Sequence, residues 1–263
     1  MMGFIRRGFV GSACAVMLGS VACFSISPAS AADDDAKQIL KSMSDYLAGQ
    51  KTISATFDSD IEVITSDLQK IQFANSGTLL LNRPNEIHAT RTGGYADVDM
   101  AFDGKTLVVY GKNINSYVKL DAPGTVDQLI DTLREHGRAL PGADLLLSNV
   151  YDTLIADVTD AKHIGQGVIG GVECEHLAFR QQDTDWQLWV EHGDKPIPRK
   201  LVITSKTVAA APQYTLVIRD WKTDAPADAT AFTFKPPEGA KEVDAAALAD
   251  LDELPPSAPA KGQ

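Results

Sequence analysis

Cysteine is scarce in this chain. Of the three present, Cys14 and Cys23 fall in an N-terminal segment that reads as a removable leader, so Cys174 stands alone in the remainder with no partner for an intramolecular disulfide. The fold must then be held by burial, and the residues beyond the leader are enough for one large domain. Long apolar runs are missing as well. The best of them, Phe9 to Phe24, is diluted by Gly, Ser and Ala and falls short of the ~20 apolar residues that span a bilayer as a helix, so no constitutive membrane insertion is expected. Positive charge is in short supply, with 24 Lys and Arg against 35 Asp and Glu. A surface that acidic lacks the basic patches that displace counterions from nucleic acid or anionic lipid, which argues against both as partners. There is no Gly-rich phosphate loop, no G-x-S-x-G elbow, no internal repeat and no alternation of strands with helices, so P-loop, serine-hydrolase and parallel-sheet readings fall away.

The leader itself is legible. Arg6 and Arg7 precede the apolar run, and Ala29-Ser30-Ala31 supplies the small residues of a cleavage site, so residues 1–31 read as an export signal. Ile5 and Gly11 do not fit the neighbours of a twin-arginine signal, which favours general secretion, and Ser20 spoils a lipoprotein box at Val21-Ala22-Cys23. Cleavage would remove two arginines and no acid, leaving 22 basic against 35 acidic side chains and a charge of −13. The expected location is the periplasm of a Gram-negative bacterium.

Beyond the leader, Ile39, Leu40, Met43, Tyr46 and Leu47 mark one face of a helix with Asp35 as its expected cap and Gly49 as its stop. The period then changes to two. Ile53, Ala55, Phe57, Ser59, Ile61 and Val63 alternate with polar residues, and a second long strand from Leu68 to Leu81 puts Ile71, Phe73, Leu79 and Leu81 on one side. Shorter strands follow at 86–92, 96–102, 106–111 and 115–120, divided by turn signals such as Arg83-Pro84-Asn85 and Asp103-Gly104. Thr125 and Gln128 then spell a capping box ahead of a stripe of Val126, Leu129, Ile130 and Leu133 that ends at Gly137. A second helix is expected to begin near Pro141 and carry Leu145, Leu146 and Leu147, with Tyr151, Leu154 and Ile155 a turn or more on. Strands resume at 162–169, 172–180, 186–191, 199–205 and 214–221, with Gly170-Gly171 as a two-residue hairpin connection. The count is about eleven antiparallel strands with one helix in front and a helical insert, a mainly β, α+β fold. Residues 32–243 form the expected single domain, and the Ala- and Pro-rich stretch 244–263 an acidic disordered tail.

The segment Gly171–Arg180, GVECEHLAFR, is the best place to look for chemistry. In a strand, Val172, Cys174 and His176 share one face, and Glu173, Glu175, Leu177 and Phe179 the other. Cys174 and His176 make two metal ligands where zinc takes three or four, and neither His163 nor His192 completes a recognisable spacing. A packed thiol beside a polar neighbour explains them better. Asp58 with Asp60, and Asp97 with Asp99, read as the wet faces of strands, and His88 and His136 are isolated. No catalytic residue, metal site or cofactor is expected.

Phe102-Asp103-Gly104-Lys105-Thr106-Leu107-Val108-Val109-Tyr110, with the strand-rich, helix-interrupted order around it, resembles the periplasmic outer-membrane lipoprotein carriers of the LolA/LolB-like superfamily. The segments CEHLAFR, DWQLWVEHGDKPIPRKLVITSK and FTFKPPEGAKEV resemble a family of predicted periplasmic proteins of unknown function within it. The resemblance implies an unclosed antiparallel β-barrel whose concave apolar face is lidded by helices and holds acyl chains. On it, Phe57, Ile61, Phe73, Leu79 and Leu81 of the two long strands and Val126, Leu129 and Leu133 of the inserted helix become the expected ligand cavity. A hydrophobic small molecule or lipid is the expected partner, with an envelope protein as a further candidate. A ~14-carbon chain would offer roughly 11 kcal/mol gross at ~0.8 kcal/mol per methylene. Two readings stay open: a non-enzymatic carrier or binding protein with a half-barrel cavity, or an envelope sensor or interaction module whose core is filled by its own side chains.

Overall fold

Strand alternation decides the architecture. In the computed structural model, which describes residues 29–138, 140–224 and 227–244, helix α1 (Ala29–Ala48) leads into a meander of β1 (Thr52–Ile64), β2 (Lys70–Asn82), β3 (Glu86–Gly93), β4 (Asp97–Phe102), β5 (Thr106–Gly111) and β6 (Ser116–Asp121). Helix α2 (Val126–Glu135), a 3-10 turn at Ala143–Leu146 and the short α3 (Val150–Ile155) form the insert. The chain returns through β7 (Asp160–Ile169), β8 (Val172–Arg180), β9 (Thr184–Glu191), β10 (Pro198–Ser205), β11 (Gln213–Thr223) and the two-residue β12 (Lys241–Glu242). All twelve strands belong to one unclosed sheet in the order β12-β6-β5-β4-β3-β2-β1-β11-β10-β9-β8-β7. Among the described residues, only the β12–β6 pairing is parallel.

Three sequence expectations need correction. Asp35 is not a cap, because α1 starts at Ala29 and runs through it; the Ala-rich segment before Asp33 propagates a helix readily. The expected second helix is two pieces, the 3-10 turn and α3, separated at 147–149. The sheet has a twelfth strand, since two residues are too few to show a period. The expected leader through residue 28 and the tail from 245 lie outside the described residues.

Helix α2 follows its signature: Thr125 Oγ1 accepts from the Gln128 N–H at 3.2 Å, and Gln128 Oε1 accepts from the Thr125 N–H at 2.9 Å. Gly137 ends it at φ 72°.

Two clusters fill the concave side. In one, Ala36, Leu40, Met43 and Leu47 of α1 pack with Leu145 and Val150 against Leu177, Phe179, Leu188 and Leu201 of the β8–β10 region. In the other, Val126, Leu129 and Ile130 of α2 pack with Ala143 and Leu147 against Ile53, Leu81, Ile87, Phe102 and Leu107. The 3-10 turn bridges the two, since Ala143 and Leu147 enter one cluster and Leu145 the other.

Candidate ligand cavity

The register of β1 on β2 builds a ladder of paired residues along the concave face. Ile53 lies opposite Leu81, Ala55 opposite Leu79, Phe57 opposite Gly77, Ser59 opposite Asn75, Ile61 opposite Phe73 and Val63 opposite Ile71. The same rungs continue onto β3 as Ile87, Ala89, Arg91 and Gly93. On the other side they meet Ile218, Leu216 and Tyr214 of β11. The lowest rung is solid core. Above it, at the seam between the two clusters, the Ala55 and Phe57 rungs open into a cavity of about 200 Å³.

Its wall combines Phe57, Leu79, Ala89 and Met100 with Leu216, Ile218 and Trp221, and the segment Leu140–Leu146 roofs it. Small residues make the room: Ala55 and Ala89 stand where larger side chains would fill it. Gly77 is required by close approach, since a Cβ there would sit 2.4 Å from Phe57 Cζ and 2.2 Å from the Thr90 carbonyl. Gly142, at φ 83°, lets the roof turn directly above Leu216. Arg91 is the charged member of the wall. The Trp221 indole Nε1 is buried without a hydrogen-bond partner.

The roof is tied down at its ends. Arg134 of α2 reaches Asp144 at 2.6 Å and Asp131 at 2.9 Å. Burial pushes the Asp144 carboxyl up, while the neighbouring Arg134 pulls it back. Arg83 donates to the Leu147 carbonyl at 3.1 Å, and the Ser148 N–H and hydroxyl both donate to Asp127. Leu140, at the mouth, is 41% exposed.

The expected cavity residues separate into three groups. Phe57 and Leu79 line the open space. Leu81, Val126 and Leu129 are buried in the α2 cluster, with Leu133 packed against it. Ile61 and Phe73 stand two rungs beyond Phe57, half-buried, where the Phe73 ring meets Tyr95 edge-on at 5.3 Å. Sequence reasoning missed Trp221, Leu216, Met100 and the roof. The β11 residues were legible as an alternating strand, but their approach to β1 depends on a pairing across more than 150 positions of chain.

GVECEHLAFR resolves into separate small structures. Cys174 is fully buried, its Sγ 3.5 Å from the Val172 carbonyl, and burial pushes its thiol up. His176 stacks on Trp189 at 4.1 Å and bonds Gln187 Oε1 at 2.9 Å. Glu175 faces the other way and joins His163 Nε2 at 2.7 Å and His192 Nδ1 at 2.6 Å. Burial alone would raise its carboxyl, but the bonds from His192, His163 and Gln166 outweigh that and hold it below the usual carboxylate range. On the convex side His88 is not isolated, as its Nε2 lies 2.7 Å from Asp99 Oδ1. Among the described residues, no group of three or more His, Cys, Asp or Glu side chains is placed to hold a metal ion, and no helix is long and apolar enough to cross a membrane.

A family model described as "Predicted periplasmic protein (DUF2092)" matches residues 36–246. No curated protein matches the sequence. Among solved structures, LprF from Mycobacterium bovis is similar over 79% of this chain and 98% of its own, at 13% identity and a TM-score of 0.47. The Mycobacterium tuberculosis lipoprotein LppX is similar over 74% and 100%, at 12% identity and a TM-score of 0.40. A putative outer membrane lipoprotein-sorting protein domain from Vibrio parahaemolyticus is similar over 76% and 97%, at 9% identity and a TM-score of 0.33.

Proposed function

We propose, since the chain belongs to the DUF2092 family of predicted periplasmic proteins, that it is an exported, non-enzymatic protein that binds a hydrophobic ligand at the seam of its half-barrel. The observation that carries this reading is the cavity itself: about 200 Å³ of space walled by Phe57, Leu79, Met100, Leu216 and Ile218 where the rungs on either side are packed. Protein interiors do not leave such space idle without cost, because each missing methylene forfeits ~0.8 kcal/mol of burial.

The size of the space sets the ligand. Apolar cavities of ~150 Å³ take up benzene, so this one accepts a ring or a short hydrocarbon segment rather than a whole lipid. The ~14-carbon chain is therefore too large an estimate for the space as it stands. A micromolar complex takes about ten methylenes at ~0.8 kcal/mol each before ordering costs, so a chain bound that tightly would extend from the enclosed space into its mouth. The opposite reading, a core filled by the protein's own side chains, describes the other half well, where Leu40, Met43 and Leu47 of α1 are wholly buried over β7–β10. Both clusters are thus packed, and the open space lies at the seam between them.

On this proposal the leader 1–31 is removed on export to the periplasm, and one domain, 32–243, carries the activity. Organic extraction of the purified mature protein, followed by mass spectrometry, tests it. A stoichiometric hydrophobic compound, or saturable displacement of a bound apolar dye by hydrocarbons, is expected. A protein that extracts clean and binds no apolar probe is a self-filled interaction module instead.

A further inference from the structure

The rung above the cavity breaks the apolar pattern. Ser59 on β1 and Asn75 on β2 are directly opposite each other on the concave face, between the Phe57 rung that lines the cavity and the Ile61–Phe73 rung beyond it. Both are deeply buried, at 1% and 7% exposure. Ser59 also lies opposite Leu216, which is part of the cavity wall. The Asn75 carboxamide lies across Gly93, where a Cβ would sit 1.9 Å from Oδ1. Ser59 Oγ and Asn75 Nδ2 nevertheless have no hydrogen-bond partner.

Two unsatisfied polar atoms, paired across one rung, are costly in a buried sheet. If the pair served packing alone, Ala and Leu would stand there at no penalty. We infer that Ser59 and Asn75 form a hydrogen-bond-donating subsite for the carboxyl-level oxygen of an acyl compound, a free acid or an ester, whose hydrocarbon enters the cavity below. The hydroxyl of Ser59 and the Nδ2–H of Asn75 donate, and the ligand oxygen accepts. The two residues stand at opposing positions whose Cβ atoms in such pairs are about 5 Å apart, close enough to share one oxygen or hold the two of a carboxyl group. Arg91, in the wall one rung below on β3, adds positive charge on that side. Selectivity then has a physical basis: the cavity rewards hydrocarbon, and the rung rewards hydrocarbon that carries oxygen at its end.

This deepens the ligand-binding proposal and rests on it, so the test separates the two. Displacement of a bound apolar dye is measured with octane, octanoate and methyl octanoate on the wild type and on Ser59→Ala, Asn75→Leu and Trp221→Phe, with the melting temperature of each free protein. The wild type should favour an oxygenated probe over octane. Whether the acid or the ester is preferred identifies the form of the oxygen, and either preference supports the subsite. Ser59→Ala and Asn75→Leu should each weaken the oxygenated probe about three- to tenfold, the size of one hydrogen bond, and leave octane unchanged. The free Ser59→Ala protein should melt no earlier than wild type, because it loses an unsatisfied hydroxyl; this keeps the test decisive if Asn75→Leu folds poorly. Equal weakening of octane and octanoate, or loss of discrimination in Trp221→Phe alone, overturns the subsite while the cavity reading stands. Failure of every probe to displace dye from the wild type removes both.

Discussion

Replacing Leu129 by Gln separates a packed helix from a movable one. Leu129 is 5% exposed and sits among Ile53, Leu81, Ile87, Phe102 and Val126. Losing its burial costs about 1.5–3 kcal/mol, and a buried amide without partners adds about 1–3. The sum, about 2.5–6 kcal/mol, is a large share of a typical stability of ~5–15 kcal/mol. For a domain of this size each kcal/mol moves the melting temperature by about 2–4 °C, so Leu129→Gln should melt about 10 °C early. The control is Leu140→Gln at the mouth of the cavity, where the 41%-exposed side chain can turn its amide to water. There the shift should stay within ~2 °C, as for other surface changes, while apolar-dye affinity falls. Circular dichroism melts of the two variants decide the matter. Were Leu129→Gln to melt within about 2 °C of wild type, α2 would not be packed as described, and the lid would have to be redrawn to include it.

Other expectations follow from local geometry. Cys174, buried with a raised thiol, should resist thiol reagents in the native protein and react at once in denaturant, and fast native labelling would refute its burial. Glu175 has a depressed carboxyl, so its contribution is present above the unfolded value near 4.3 and is lost as pH falls through the lower folded value. Glu175→Gln should therefore be less stable than wild type at neutral pH and lose less on acidification below about pH 4.5; parallel declines in urea titrations would contradict the His163–Glu175–His192 arrangement. The mature chain should begin at or near Ala32, and an intact mass showing a lipid-modified Cys23 would overturn that.

Period and punctuation carried most of the fold. Alternation placed Ile53, Ala55, Phe57, Ser59, Ile61 and Val63 of β1 and Ile71, Phe73, Leu79 and Leu81 of β2 on their correct side, and Thr125 with Gln128 marked the start of α2. What alternation cannot supply is height along the barrel. Phe57 and Leu81 share a face and differ in whether an insert covers their rung, and that depends on where a 3-10 turn with no clear period places Ala143, Leu145 and Leu147. Ser59 and Asn75 look like ordinary interruptions of two strands. Their pairing becomes visible only once register sets them opposite each other on a buried rung.

An unclosed sheet ends in two raw edges, and this chain treats them differently. The outer edge of β6 is occupied by Lys241 and Glu242, with the Lys241 N–H bonded to the Asn115 carbonyl at 3.1 Å and the Val243 N–H to that of Tyr117 at 2.9 Å. Phe234 anchors the same segment against the rings of Tyr110 and Tyr117. The outer edge of β7 has no strand beside it among the described residues, and it carries Ile164 and Val168 exposed, interrupted by a bulge between His163 and Gly165. β12 thus covers the Ser116–Tyr117 end of the β6 edge, whereas a pairing of β7 with β7 of a second copy would be an isologous contact that closes at two. A β7 edge meeting the β6 edge of the next molecule would instead be a head-to-tail contact with no natural end, and the C-terminal segment stands in its way. Two residues of parallel strand thus make the two ends of the sheet unlike each other, which works against a repeating edge-to-edge contact.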